Sequence, residues 1–287
     1  MTHDTRTFAL GAAIVNIINV GDLRLTLSEI MNVPESEWRP GYSGVFDQPM
    51  SFPSQCIHIA LPDASVLVDA NNFALSAPPD SPYAPPTDYQ PPPDLPTQLV
   101  ECGIRPEDIT HLVITHAHFD HYAGISWKRD GHYVPTFPRA RCFLGKADWE
   151  YPETQEALRD PNSADSHTFG VVQQAGLLEL VEGDRDITPA VQIIAAPGES
   201  PGHQIVRISS EGQVLYCLGD LYHHPLEVEH PSWMAEWDDV STNLASRVAL
   251  AKTALAEHAL LIATHIPGTG RLGLTATGAI WVNVEPV

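Results

Sequence analysis

Basic side chains are scarce in this 287-residue chain: 15 Lys and Arg face 36 Asp and Glu, for a formal net charge of -21. So acidic a surface repels phosphate backbones and anionic headgroups, which disfavours nucleic acid and membranes as partners. Long apolar runs are missing too, since none approaches the roughly 18–20 residues of a membrane span. The one signal-like segment is Phe8 to Val20. Its flank carries only Arg6 beside Asp4, Asn16 and Asn19 interrupt it, and no small-x-small cleavage site follows, so it reads as a first strand. Cysteine is sparse, with Cys56, Cys102, Cys142 and Cys217 scattered and no C-x-x-C. Free thiols in a reducing compartment, the cytoplasm, are the expectation.

What is present reads as one α/β domain over residues 1–287 with two sheets and helices outside them. Cys56 to Ala60 and Val66 to Val68 flank Pro62-Asp63-Ala64 as a hairpin. Val191 to Ala196, Gln204 to Ser209 and Val214 to Leu218 form a second group of strands, and Ile109 to Thr115 and Leu260 to Thr264 are short buried ones. Helices are expected over Pro96 to Cys102, Lys146 to Leu158 and Thr242 to His258. In the last, Leu244, Val248, Ala251 and Leu255 recur at helical spacing and Ser241 or Thr242 is placed to cap the start. Residues 77–96 are crowded with prolines and read as a long loop, an insertion or a lid.

The chemistry concentrates at Thr115-His116-Ala117-His118-Phe119-Asp120-His121, directly after the strand Ile109 to Thr115. Imidazole nitrogen and carboxylate oxygen are the ligand set of zinc and similar divalent ions. Four such groups within six residues exceed what one tetrahedral ion needs if others join, and three others stand at strand ends. His203 follows the loop Pro197 to Gly202, Asp220 follows the strand Val214 to Leu218, and His265 follows Leu260 to Thr264. Ligands at the ends of different strands converge on one sheet edge. The spacing assigns His116, His118 and His203 to a first ion, Asp120, His121 and His265 to a second, and Asp220 to a bridge between them.

The order H-x-H-x-D-H, P-G-H, G-D, then a late T-H resembles the metallo-β-lactamase fold superfamily, over roughly Asp69 to His265. The stretches Gly219-Asp220-Leu221-Tyr222-His223-His224, Thr264-His265-Ile266-Pro267-Gly268 and Gly103 to Ile109 most resemble its acyl-homoserine-lactonase and methyl parathion hydrolase branch. Periplasmic β-lactamases of this fold typically lack a bridging aspartate, nuclease members sit badly with the charge, and di-iron redox members typically replace the His118 position by glutamate. The resemblance implies a four-layer αβ/βα sandwich with its metal site at one edge of the two sheets. It also implies two divalent ions, zinc first with iron or manganese accepted, that activate water. The family often has Asp-Thr-Gly where this chain has Asp69-Ala70-Asn71, so the loop backbone there is expected to differ.

On this reading Asp120 also orients the nucleophile or passes on its proton, His223 reaches the substrate, and Asp69 bonds to a ligand imidazole N–H. Phe119, Tyr122, Trp127, Trp233 and Trp237 are candidates to line an apolar pocket, although core packing explains aromatics equally well. His58, His111 and Cys217 read as packing residues, and Glu199 as a loop carboxylate with no role. The expected substrate is a small ester, a lactone above all. Phosphotriesters, aryl esters and thioesters are the alternatives within the same chemistry, and a metal-binding scaffold without turnover lies outside it. A homodimer is consistent with the branch.

Overall fold

The computed structural model describes residues 5–77 and 87–286, in which two seven-stranded sheets lie face to face. The first runs in the order Arg6–Leu10, Ala13–Leu25, Met50–Ala60, Ser65–Val68, His111–Val113, Arg141–Gly145 and Leu178–Val181. The second runs Arg185–Thr188, Val191–Ala195, Gln204–Ser210, Gln213–Cys217, Leu260–Ile262, Gly270–Leu274 and Ala279–Asn283. Each sheet contains an antiparallel hairpin followed by a crossover to a parallel strand. Ser65–Val68 pairs in parallel with His111–Val113, and Gln213–Cys217 with Leu260–Ile262. Parallel neighbours end at the same edge, so the segments after Val68, Val113, Cys217 and Ile262 all emerge on one side.

Side chains from both inner faces fill the space between the sheets. Val15, Ile57, Val66, Val113 and Phe143 of the first sheet share one buried cluster with Ile193, Val206, Ile208, Leu215 and Ile262 of the second. Outer faces are covered separately. The helix Leu95–Glu101 and the helical segment Phe169–Gln174 pack on the first sheet, and the helix Val240–Glu257 on the second. Helix, sheet, sheet and helix make the four-layer αβ/βα sandwich expected from the resemblance.

Several local readings change. Phe8 to Val20 is not one strand but a hairpin, Arg6–Leu10 against Ala13–Leu25, turning at Gly11 with φ +58°. A side chain at Gly11 would press on the Ser210 carbonyl, so the turn excludes one twice over. The expected helix from Lys146 to Leu158 is two, Lys146–Trp149 and Pro152–Ala157, because Pro152 has no N–H to continue the first and starts the second. Helices Leu27–Ile30 and Glu35–Phe46, unread in the sequence, stack Trp38 on Phe46 and set Tyr42 and Phe46 edge-on against Trp233. In the long helix Val240–Glu257 the cap is Asp239, which accepts from the Thr242 N–H at 2.9 Å. Its buried face is Asn243, Arg247, Leu250 and Ala254, one residue away from the apolar stripe, and Val248 is exposed. Of the proline-rich loop at 77–96, residues 78–86 lie outside the described residues. Beyond them Tyr89 donates its hydroxyl to Asp22 at 2.7 Å.

His58 joins neighbouring strands of the first sheet. Its Nδ1 accepts from the Asn16 amide at 3.1 Å, which leaves Nε2–H to donate to Ser65 Oγ at 2.8 Å. Burial pushes this imidazole down to about 4. The folded state therefore binds the proton less well than the unfolded chain. Stability from this group is complete above pH 6.5 and is lost as pH falls toward 4, by about 3 kcal/mol. Urea unfolding at pH 7 and pH 4.5 should show a steeper loss for the wild type than for His58→Gln. Parallel losses would mean that His58 is not the group that titrates.

Candidate metal centre

The strand His111–Val113 delivers Thr115 to Asp69, which stands at the end of Ser65–Val68 in a left-handed conformation (φ +58°). Asp69 accepts from the Thr115 N–H at 2.7 Å and its hydroxyl at 2.9 Å, and its Oδ2 lies 2.9 Å from His121 Nδ1. One carboxylate thus fixes both the start of the histidine-rich turn and the tautomer of His121, whose Nε2 is left facing inward. Asp120 and His121 project from the helical turn Phe119–Tyr122, with His118 at its N-cap.

Asp220 is the hub. Its Oδ2 lies 3.2 Å from His121 Nε2, 3.3 Å from His265 Nε2 and 3.4 Å from His223 Nε2. His265 is aimed by a 2.9 Å contact from Nδ1 to the Pro53 carbonyl, and its Nε2 also lies 3.4 Å from Asp120 Oδ2. His203 Nδ1 bonds the Ala196 carbonyl at 3.1 Å, and its Nε2 receives the Asp220 N–H at 3.3 Å. Gly219, at φ +53°, lets the chain pass here, since a Cβ would come within 2.7 Å of the Thr115 side chain and 2.9 Å of His203 Nε2.

The electrostatics follow from burial. Burial drives His116 well below its usual range, with His121 and His118 adding to the effect, and it also lowers His203. Burial opposes charge on His121 as well, yet Asp220, Asp120 and Asp69 together raise it well above the ordinary value. In the same way His265 rises to about 9 against burial through Asp220 and Asp120. Burial works against the Asp120 carboxylate, but His121 and His265 bring it down to about 2.

Ligand-type atoms gather in groups whose members all lie within 4.8 Å of one another: His116, His118 and Glu199; His116, His121 and Asp220; Asp120, His121 and His265; Glu199, Asp220 and His223. Six of the seven expected ligands therefore fall within these groups. His203 falls outside these groups, although its ring centroid lies 5.2 Å from that of His116. Glu199, read as an idle loop carboxylate, is instead buried and reaches both His116 and His118. Its one sequence signal is an acid inside the Pro197 to Gly202 turn, four residues before His203.

A cavity of about 440 Å³ opens over the cluster and is walled by Leu23, Leu25, Ile30, Phe52, Phe119 and Trp237. Asp120, Asp220, His118, His223 and His265 form its polar floor. Tyr122 and Trp233 do not line it. Tyr122 is buried against Phe169, and Trp233 stacks on His230. Trp127, on a small outlying hairpin, is exposed. His58 and His111 also lie outside the cluster.

Asp148 is a second residue that the sequence did not flag. Buried, it accepts from the Ala117 N–H at 2.9 Å, Ser200 Oγ at 2.8 Å and the Gly202 N–H, and so ties the histidine-rich turn to the loop before His203.

Two facing sheets with a histidine–carboxylate cluster at one edge define a metal-site αβ/βα sandwich. Residues 86–265 match the family model described as the metallo-beta-lactamase superfamily, and the chain belongs to that superfamily. It is similar to the N-acyl homoserine lactonase of Bacillus cereus, 27% identical over 122 residues that cover 42% of each chain. A second N-acyl homoserine lactonase, from a Bacillus species, is 28% identical over 130 residues, 43% of each. The matched stretch spans less than half the length of these relatives. Among solved structures, a hydrolase of the beta-lactamase superfamily called AbOPH superposes with a TM-score of 0.79 at 15% identity, covering 99% of both chains. AidC, a dizinc quorum-quenching lactonase in complex with a hexanoyl-homoserine product, superposes at 0.72 and 19% identity, covering 99% of this chain and 98% of that one. At such identities the likeness is one of fold.

Asp148→Ala would leave three part-buried loop donors without their acceptor, at about 1–3 kcal/mol for each donor that water cannot reach. Urea unfolding of the metal-free protein should show a loss of at least that size, and a loss under about 0.5 kcal/mol would mean that the loops hold without it.

Proposed function

We propose that this protein hydrolyses an uncharged small ester, a lactone above all, at a pair of divalent metal ions. The observation that carries the reading is the cavity: apolar on its walls, lined by ligand-type side chains on its floor, and without Lys or Arg among its described lining residues. A hydrophobic acyl or aryl group fits such walls. An anionic thioester carrier or a phosphodiester would find no Lys or Arg on the walls to meet charge away from the metal-binding floor, which places thioester hydrolysis behind the lactone reading.

The residues fit a metal pair. Among the described residues, His116 Nε2, Asp220 Oδ1, Glu199 Oε2 and both ring nitrogens of His223 are buried without a hydrogen-bond partner. Buried donors and acceptors rarely stay unpaired, and buried carboxylates need a cation. Two neutral histidines facing several carboxylates offer the nitrogen and oxygen ligands that zinc, manganese and iron accept. His116, His118 and His203 would hold one ion, Asp120, His121 and His265 the other, and Asp220 both. When bound, such ions supply Lewis acidity and water activation near neutral pH.

The chain's own groups do the rest. Asp69 holds His121 in the tautomer that presents Nε2. Asp120, on the cavity floor beside His265, orients the attacking water or passes its proton to the leaving group. His223, on the cavity floor, donates through Nε2 to a substrate oxygen. Phe119, Trp237 and the leucines shield the acyl group from solvent.

Zinc- or manganese-reconstituted protein should be assayed side by side on N-acyl homoserine lactones, 4-nitrophenyl acetate and methyl paraoxon. We expect lactone kcat/KM to lead, and to rise about fourfold for each acyl methylene until the cavity is filled, as expected at about 0.8 kcal/mol per buried CH₂. Activity confined to aryl esters or phosphotriesters would overturn the lactone assignment. Two bound metals with no turnover of any of the three substrates would overturn the ester assignment as a whole. Asp69→Asn should lower metal affinity or kcat by about 10–100-fold, as the loss of a ligand's outer hydrogen-bond partner does. Unchanged kinetics and metal content in that variant would show that Asp69 serves the fold alone.

A further inference from the structure

The clearest electrostatic conflict in the centre lies between His116 and Glu199. Thr115 Oγ1 gives its proton to Asp69, so it accepts from His116 Nδ1 at 3.1 Å, and that nitrogen carries the hydrogen. His116 Nε2 is then a bare lone pair, and it lies 3.3 Å from Glu199 Oε2. Both atoms are buried and neither has a hydrogen-bond partner. Two lone pairs aimed at each other in the interior repel unless a cation lies between them.

The other oxygen of Glu199 is fixed. Oε1 lies 2.8 Å from His118 Nδ1 and accepts from the Trp237 indole N–H at 2.9 Å. The loop that carries Glu199 is pinned too. Asp148 holds Ser200 and Gly202, and the Gly198 carbonyl accepts from the Asp239 N–H at 2.8 Å. Ligand atoms of one ion at about 2.1 Å stand about 3.0–3.4 Å apart for octahedral to tetrahedral angles. The 3.3 Å separation of Glu199 Oε2 from His116 Nε2 falls in that range, while the 2.8 Å contact of Oε1 with His118 Nδ1 is hydrogen-bond distance and aims the carboxylate.

We infer that Glu199 is a ligand of the ion held by His116, His118 and His203, so that this position offers three imidazoles and, with Asp220, two carboxylates. The inference rests on the metal-pair reading above and adds a third carboxylate beside Asp120 and Asp220. A harder donor set of this kind favours five- or six-coordinate manganese or iron over four-coordinate zinc. Trp237 becomes a link between substrate and metal, since the indole that lines the cavity also holds the ligand's oxygen.

Glu199→Gln is the test, because the amide oxygen can still accept from Trp237 while the charge is lost. Metal-free wild type and variant would be titrated with Mn(II) and with Co(II) against a competing chelator, with the visible Co(II) spectrum recorded at each step. The wild type should take up two ions per chain. The variant should keep one site unchanged and lose at least tenfold at the other, since even an outer partner's loss costs about 10–100-fold. Its Co(II) bands should strengthen as the coordination number falls. Glu199→Ala should show the same site-selective loss, and circular dichroism of both variants would exclude misfolding. Two sites of unchanged affinity with an unchanged Co(II) spectrum would overturn the Glu199 assignment and leave the metal pair intact. A wild type that binds neither metal would overturn both.

Discussion

Asp69, Asp148 and Glu227 are buried carboxylates that turn away from the cavity and accept from the loops around it. Asp69 holds Thr115 and His121, Asp148 holds Ala117, Ser200 and Gly202, and Glu227 holds the backbone N–H groups of His223 and His224. Hydrogen bonds to a buried charge are worth about 1.5–3 kcal/mol each, roughly twice a neutral one. Loops normally run over surfaces because their backbone groups need water. Here an anion beneath each loop replaces the water, so irregular backbone can be buried and its side chains held still. Glu227 in turn needs a cation. Arg247, fully buried in the long helix, supplies it and also donates to the carbonyls of Leu221 and Trp233 at 2.9 and 2.8 Å. That task explains why the buried face of this helix is offset from its apolar stripe.

The two sheets are stitched together at the same edge. Gln204 donates through its amide to the Ile114 carbonyl and through its backbone N–H to that of Thr115. Gln55, on a strand of the first sheet, donates to the carbonyls of Ala263 and Ile266 and accepts from the Gly268 N–H. Apolar packing alone lets facing sheets slide, because it is not directional. These bonds fix how the ends of one sheet stand against those of the other, and therefore how His116 and His121 stand against Asp220 and His265.

What the sequence made legible was what is local or periodic. His116, His118, Asp120 and His121 fall within six residues, and Asp220 and His265 are polar residues terminating apolar runs. The order of these motifs carried the fold. The hairpin at Gly11 was hidden because strand residues on both sides give a continuous apolar pattern, and one glycine in the left-handed region makes the turn. The break at Pro152 could have been read from proline chemistry alone. Glu199 was illegible for a deeper reason: a carboxylate in a proline–glycine turn is ordinarily solvated, and only packing by Trp237 and the two histidines buries it. Tyr122 and Trp233 show the converse, since aromatic identity says nothing of which side of a wall a ring occupies.

Charge and cavity act together on the proposed reaction. On the proposed reading a neutral lactone enters a space with apolar walls and no Lys or Arg among its described lining residues, so it feels little of the chain's net charge of -21. Opening the ring creates a carboxylate. Outside the cavity that product meets an acidic surface whose field reaches about 8 Å at physiological salt. The same negative field that is indifferent to the substrate would oppose the product, leaving the proposed metal ions as the attraction that retains it. If Glu199 is a ligand as inferred, a third carboxylate in the centre weakens that attraction further. The acidity that disfavours phosphate backbones as partners would thus also favour release of an anionic product over its accumulation in the site.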